Sequence, residues 1–474
     1  MSSTKTLTAL ACILALAGCA TQPATRDRAE IKAIGEYGTR DSFAAPAGSW
    51  PSDAWWTLYG DPQLDQLVTE ALASSPSIAV AQARLHRAQA AAQVQRGATL
   101  PQISGSSSIT EQKQSYNYLS PHDFTPQGWN DYGRASLDFS WELDFWGKNR
   151  AALAAATSEA NAANADTAQA RLTLSTAIAS AYAELAHEYA VLDTAQSALT
   201  IRTRTAELFR NRFDNGLETL GSVRQVEARR AAAEADVLSI EEQLGLQRNR
   251  LAALMGAGPD RGLAITRPTV EINRAFALPP ELSANLLGRR PDITAARMRA
   301  ESAAQKIKQA RASFYPNVNL AAFIGVQSLN LDMLTKSGSS MGSVGPAVSL
   351  PIFTGGRLRG QLRGAEAEHA EAVANYERTV VQALQEVADA AVSQRALQPQ
   401  ILRTNDAVDA AREAWRIQNN RYEGGLATYL DVLNAEDYLL SNLRVQADLR
   451  SRTLSLDVAL IRALGGGYST SRII

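Results

Sequence analysis

Few residues in this chain are of a type and spacing that could carry chemistry. Its four histidines, His86, His122, His187 and His369, are scattered, and no two have the spacing of a metal site. The run Gly338–Gly342, GSSMG, fits the hydrolase pattern G-x-S-x-G, which would make Ser340 a nucleophile. That motif works only between a strand and a following helix, where the turn lifts the serine out of the sheet. Here Ser340 lies in a loop rich in Gly and Ser and is followed by a segment that reads as a strand. No metal, cofactor or catalytic constellation is expected, and the chain does not read as an enzyme.

One cysteine is different. Lys5 precedes the apolar run LTALACILALAGC, which is too short to span a bilayer and ends in small residues, as a secretory signal does. LAGC at Leu16–Cys19 resembles a bacterial lipobox. The resemblance implies that Cys19 becomes the lipidated first residue of the mature protein. With Ala20 next, not Asp, it also implies sorting to the outer membrane. The only other cysteine, Cys12, lies inside the signal, so no disulfide is expected.

The net charge of −1 offers no basic field for nucleic acid. No later segment reaches ~18 consecutive apolar residues, so no membrane-spanning helix is expected. If the protein crosses a membrane, strands must do it. One stretch, Arg134 to Gly147, alternates strictly: Ala135, Leu137, Phe139, Trp141, Leu143 and Phe145 are apolar, and the residues between them are not. A period of two is a strand with one oily and one wet face.

The elements that must position this strand are written twice. At an offset of 215, Leu67, Leu72, Pro76, Ile78, Ala81, Arg84, Ala88, Arg96 and Pro101 meet identical residues. At an offset of 209, so do Asn211, Arg212, Gly216, Leu217, Thr219, Val223, Glu227, Gly256 and Gly258. The offset falls because the first half carries a longer polar insert, QKQSYNYLSPHDFTPQGWNDY. Each half reads as a short helix from Pro76 or Pro291, two strands, a long helix and a returning helix. The strands are expected at about 102–114 and 132–146, and at about 317–329 and 341–353. In the third, Val318, Leu320, Ala322, Ile324 and Val326 share a face.

Lys148 to about Phe213 has no proline or glycine, so it would form a helix roughly 95–100 Å long. Its counterpart runs from Arg357 to about Tyr422, where Pro399 should kink or break it. A globular domain cannot bury such a helix. A return helix of roughly 55 Å and a short one of roughly 35 Å, stacked end to end, match one long helix. That arithmetic describes a tube wall. Eleven of the twenty residues from Ala151 to Ala170 are alanine, which permits close helix packing.

The organisation follows. Residues 1–18 are a lipoprotein signal and 19–62 an N-terminal belt segment. Residues 63–255 form the first repeat, 256–278 a waist linker, 279–464 the second repeat and 465–474 a tail. Four strands with an apolar face cannot stay open in lipid, because unpaired edge groups cost several kcal/mol each. Closed membrane barrels start at about eight strands, so chains must pool theirs.

The segments AWWTLYGDPQLDQLV, SWELDFWGKNRA, LLGRRPDITAARMRAES, SFYPNVNLAAFIG and VSLPIFTGGRLRG occur in this order between about Trp55 and Gly465. Together they resemble the outer-membrane efflux family, the TolC-like channels, in its lipoprotein branch. The resemblance implies a mainly helical trimer. Each chain would give four strands to one twelve-stranded β-barrel, continued by a long periplasmic helical barrel with a belt at its waist. It implies the passive exit duct of a tripartite efflux pump, with an inner-membrane transporter and a periplasmic adaptor as partners. On that footing Ser136, Asp138, Ser140 and Glu142 would line the barrel lumen, and the opposite face would touch outer-membrane lipid. Gly216, Leu217, Gly425 and Leu426 would form adaptor-docking turns, although plain helix capping also explains the glycines. Tyr422 and Asp431 match the family's gate positions; Asp431 is equally the carboxylate that a helix N-terminus favours. Ser222 and Asn434 stand where the family has acidic residues. A second reading, a lipid-anchored periplasmic coiled-coil interaction protein, leaves the alternating strands unexplained.

Overall fold

The computed structural model describes residues 29–117, 122–270 and 276–470. Cys19 and its lipobox lie outside them. The chain divides into two compact units. One comprises Met1–Ile31, Leu85–Ala163 and Ala296–Tyr376; the other comprises Lys32–Arg84, Asn164–Ala295 and Glu377–Ile474.

The duplication is visible element by element. Short helices Pro76–Gly97 and Pro291–Ala312 have 22 residues each. Long helices Lys148–Asp214 and Arg357–Glu423 have 67 each. Return helices Leu220–Leu254 and Tyr429–Ala463 have 35 each. Ahead of each short helix stands one more helix, Pro62–Ser74 or Leu282–Arg289. The long helix of the second repeat does not stop at Pro399. A proline removes one N–H, here the donor to the Arg395 carbonyl, and the rest of the ladder continues on both sides. None of the described helices is long and apolar enough to cross a membrane.

The first unit holds a four-stranded antiparallel sheet in the order β1 (Gln102–Gln112), β2 (Asn130–Leu143), β3 (Asn317–Leu329), β4 (Ser340–Ser349). Two hairpins, one per repeat, join through β2 and β3. The strand ends that differ most from the sequence expectation are those of β2 and β4. β2 ends at Leu143, because the Asp144 carboxylate turns away to accept the N–H groups of Asn149 (3.2 Å) and Arg150 (2.8 Å) at the start of the long helix. Phe145 therefore lies in a turn and not on the apolar face. β4, an edge strand that tolerates Pro346 within it, ends at Ser349.

In the second unit the core is built from both repeats. Trp55, Tyr59, Leu64, Leu67 and Val68 pack on Ile178, Tyr182 and Leu185 of the first long helix and on Leu251, Val458 and Ile461 of the return helices. Asp61 caps the helix Pro62–Ser74, accepting from the Gln63 N–H at 2.9 Å. It also accepts from the Tyr182 hydroxyl and the Thr269 N–H, each at 2.8 Å. Burial opposes its charge, but these bonds prevail and hold its pKa below the usual aspartate value. The N-terminal segment meets the linker as a short parallel bridge, Ala47 to Leu278, with Gly48 N–H to the Leu278 carbonyl at 2.8 Å.

Candidate functional site

Two regions carry the features expected of a duct: the sheet and the pair of glycine turns. In the sheet, register decides which side chains share a face. Ile103, Phe139, Ala322 and Val344 are successive partners across the four strands. Gly105, Leu137, Ile324 and Gly342 form the next row. This face is apolar, and Ile103, Leu137, Ile324 and Val344 are all exposed on it. Exposed β-branched and leucine side chains in a continuous sheet row suit lipid, not water.

The opposite face is polar. Ser104, Asp138, Phe323 and Ser343 make one row, and Ser106, Ser136, Gly325 and Met341 make the next. Ser136, Asp138, Ser140 and Glu142 all lie on it, as the alternation requires. Ser136 donates to the Asp138 carboxylate at 3.0 Å. Glu142 pairs with Lys148 at 2.6 Å, at the first turn of the long helix. Gly325 has a steric reason. A Cβ there would lie 2.2 Å from the Ala135 carbonyl oxygen, so any side chain would push β2 and β3 apart. β1 and β4 are the two edges of the sheet. Such a sheet is stable in a membrane only when further copies close it.

The glycine turns are built alike. Gly216 (φ 66°) donates to the Phe213 carbonyl, and Leu217 donates to the Arg212 carbonyl at 2.8 Å. Gly425 (φ 71°) donates to Tyr422, and Leu426 to Arg421 at 2.7 Å. These paired bonds are Schellman motifs, and the glycines supply the left-handed residue such motifs need. An apolar residue after the glycine frequently packs back onto an apolar residue of its helix, but the facing residues in this chain are Arg212 and Arg421. Here Leu217 and Leu426 remain 65% and 73% exposed.

Beneath the turns the two repeats share one cluster: Ala206, Phe209, Val223 and Val226 from the first, Tyr422 and Val432 from the second. Phe209 stacks parallel to Tyr422, with ring centroids 5.7 Å apart. Tyr429 tilts against Phe209 at 4.1 Å. The Tyr422 hydroxyl donates to Glu218 at 2.8 Å, and the Arg212 guanidinium lies over the Tyr422 ring at 4.9 Å. Burial and then Glu218 push the Tyr422 pKa above its ordinary value, so the hydroxyl stays a donor.

Asp431 is not brought to Tyr422 within one chain. It accepts from the Thr428 N–H (2.8 Å) and hydroxyl (2.6 Å), closing a capping box at the start of the second return helix. The Thr428 hydroxyl, and then its N–H, hold the Asp431 pKa below the usual aspartate range. Ser222, at the equivalent place in the first repeat, bonds to Thr219 at 3.0 Å. Sequence reading passed over Glu218, Arg212 and Phe209. A closer comparison of the repeats would have marked Glu218, where the second repeat has Ala427.

A sheet with a lipid face, a polar face and open edges, joined in sequence to duplicated 67-residue helices that end in exposed turns, defines a membrane channel component assembled from several copies. The comparisons make this specific. The family model described as outer membrane efflux protein matches residues 67–257 and 282–466. The chain belongs to that family and is an outer-membrane efflux channel. It is 39% identical to the fusaric acid resistance protein FusA of Burkholderia cepacia, over 77% of this chain and 69% of that one. It is 30% identical to the multidrug resistance outer membrane protein MdtP of Escherichia coli, over 92% of this chain and 90% of that one. Among solved structures, the outer membrane protein VceC of Vibrio cholerae superposes with a TM-score of 0.85 and 52% identity, covering 89% of this chain and all of that one. The outer-membrane channel OprN gives 0.84 at 29% identity, over 95% and 99% of the two chains. Channels of this family are trimers that work with adaptor proteins and inner-membrane pumps, and in this chain four strands are the share of one protomer in a twelve-stranded barrel.

Proposed function

We propose that this channel is a passive exit duct for small toxic molecules, closed at its glycine turns until a periplasmic adaptor engages them. The single observation that carries the reading is the pair of turns. Both expose a leucine, and both do so at matching positions of the two repeats. A two-fold set of leucines in each protomer, repeated three times, offers six similar contacts to a partner. Tyr422 and Asp431 flank the second turn and are the gate residues. In the trimer three Asp431 carboxylates would ring the axis and attract cations. Ser136, Asp138, Ser140 and Glu142 line the lumen, and the apolar rows face outer-membrane lipid. Cys19 carries the acyl anchor, and the segments on either side of the Ala47–Leu278 bridge belong to the waist belt. The names of FusA and MdtP, which concern fusaric acid and multidrug resistance, support drug-like or organic-acid cargo.

Replacing both leucines with aspartate tests the docking role. The Leu217→Asp/Leu426→Asp protein should form heat-resistant trimers as the wild type does, since neither side chain is packed. It should lose cross-linking to its adaptor and confer no drug resistance in cells. Normal cross-linking and normal resistance would assign the turns to helix capping alone.

A further inference from the structure

The duplication extends to strand register. Gln102 is opposite Ser140 in the first hairpin. Their equivalents Asn317 and Ser349, at offsets of 215 and 209, are opposite each other in the second. The hairpins join where β2, the last strand of one, pairs with β3, the first strand of the next. In a barrel closed by copies of this chain, the same junction recurs between β4 and β1 of the partner subunit. β4 is shorter than its equivalent β2. Both reach the matched serines, Ser140 and Ser349, but β2 runs on through Trp141 to Leu143. Those residues have no partner on β1 and pair only with Leu320 to Val318 of β3. Their equivalents, Leu350 to Ile352, lie past Asn317, the first residue of β3, so no described strand of the same chain lies beside them. Ile352 is 80% exposed, whereas Leu143 is partly buried.

We propose that β4 meets β1 of the partner subunit in the register of β2 on β3, that this contact turns Leu350–Ile352 into strand, and that Pro346 leaves each such seam one hydrogen bond short. Closure of the barrel by copies belongs to the family; the register, the extension and the gap are this chain's own. The offsets convert each internal pair into a pair across the seam. Asp138–Phe323 becomes Ala347 with the partner subunit's Ser108, and Glu142–Asn319 becomes Pro351 with the partner subunit's Ser104. Leu137–Ile324 becomes Pro346 with the partner subunit's Ile109. The faces agree, since Ser104 and Ser108 lie on the polar face of β1, as Ala347 does on β4. The hydrogen-bonding phase agrees as well. The Asn330 N–H donates to the Asp131 carbonyl, and the Gln327 N–H to the Ser339 carbonyl. Bonded and non-bonded pairs alternate along an antiparallel ladder. The odd-numbered residues of β1 and the even-numbered residues of β4 therefore turn their backbone groups outward, and the proposed register brings those groups together. Pro346 is one of them and has no N–H, so the carbonyl of the partner subunit's Ile109 lacks a donor there. Pro351 turns its nitrogen away from the seam and costs it nothing. A proline with its nitrogen outward also keeps the open edge of an unassembled chain from pairing indiscriminately.

The test is oxidative cross-linking of the full-length protein in outer-membrane fractions, with cysteine pairs placed on the polar face. Directly opposite residues are within disulfide reach, and pairs displaced by two are roughly 7–8 Å apart, beyond it. Ala347→Cys/Ser108→Cys and Pro351→Cys/Ser104→Cys should give covalent dimers and trimers on denaturing gels. Ala347→Cys/Ser106→Cys, Ala347→Cys/Thr110→Cys and each single variant should not. Preferred linkage of a displaced pair would overturn the register and leave the closed barrel standing. Linkage at Ala347 without linkage at Pro351 would overturn the extension. No linkage by any pair, in protein shown to form heat-resistant trimers, would mean that β4 does not meet β1, and the whole proposal falls. Pro346→Val restores the N–H, so its heat-resistant trimer band should persist to a temperature a few degrees higher. A band lost at or below the wild-type temperature would overturn the missing bond.

Discussion

Arg290→Met should be the most destabilising single substitution that leaves the membrane sheet untouched. Arg290 is 6% exposed, and its guanidinium joins three helices. It donates to both oxygens of Asp292 (3.0 and 2.6 Å), to Glu386 of the second long helix (2.6 Å) and to the Ala463 carbonyl at the end of the second return helix (3.1 Å). Burial works against its charge, but Asp292 and Glu386 more than compensate, and its pKa lies above the usual arginine value. Removing one partner of a buried ionic cluster leaves the others uncompensated, at a cost of about 3–5 kcal/mol. Thermal melting followed by circular dichroism should show the loss, with the heat-resistant trimer band disappearing at a lower temperature. Arg290→Lys should fall between, because lysine keeps the charge but lacks the planar fork that meets Asp292 with two bonds. Arg290→Met melting with the wild type would mean that the cluster contributes nothing net.

The second large effect concerns the sheet. Leu137→Arg places a charge on the lipid face near the middle of β2, where Leu137 is 57% exposed beside Gly105 and Ile324. Such a charge costs roughly 2–4 kcal/mol per chain near the bilayer midplane, and a trimer carries it three times. The variant should fail to insert, or yield little heat-resistant trimer in membrane fractions. Ser104→Arg is the control: one position removed in register from Gly105, it points to the polar face and pairs with Asp138. It should insert normally. Equal insertion of both variants would mean that the apolar face does not meet lipid, and failure of Ser104→Arg alone would mean that the two faces have been assigned to the wrong sides.

These two substitutions also mark what could be read from sequence. The division of the sheet into an apolar and a polar face was legible because a strict period of two admits only one division of side chains, and the pairing matches apolar with apolar. The duplication was legible because prolines and glycines stayed in register over both halves. The strand ends were less so. Asp144 fits the alternation as a polar residue, and only the helix beginning at Lys148 explains why it leaves the strand to cap. Of the kink or break expected at Pro399, the break is absent: one missing bond in a 67-residue helix does not end it. Arg290 lay within a recognised segment beside its partner Asp292, yet its other two partners are 96 and 173 residues away, and nothing local announces them. Glu218 is similar. Its partner is 204 residues distant and belongs to the other repeat. Asp431, expected at a gate position, is within one chain the helix N-terminal carboxylate that the sequence allowed as the alternative, and its partner Thr428 was not foreseen. A ring of three such groups on an axis is a property of the assembled trimer.

The most direct test of a closed outer-membrane duct is conductance. Detergent-purified trimer, wild type beside Asp431→Ala, would be reconstituted into planar bilayers and recorded in asymmetric salt. The wild type should give small, cation-selective currents, and the variant should enlarge them or lose the selectivity. Currents that are identical in the two proteins would keep the channel and remove Asp431 from the gate. No current at all, from protein shown to be trimeric and inserted, would contradict the assignment of this chain as a duct.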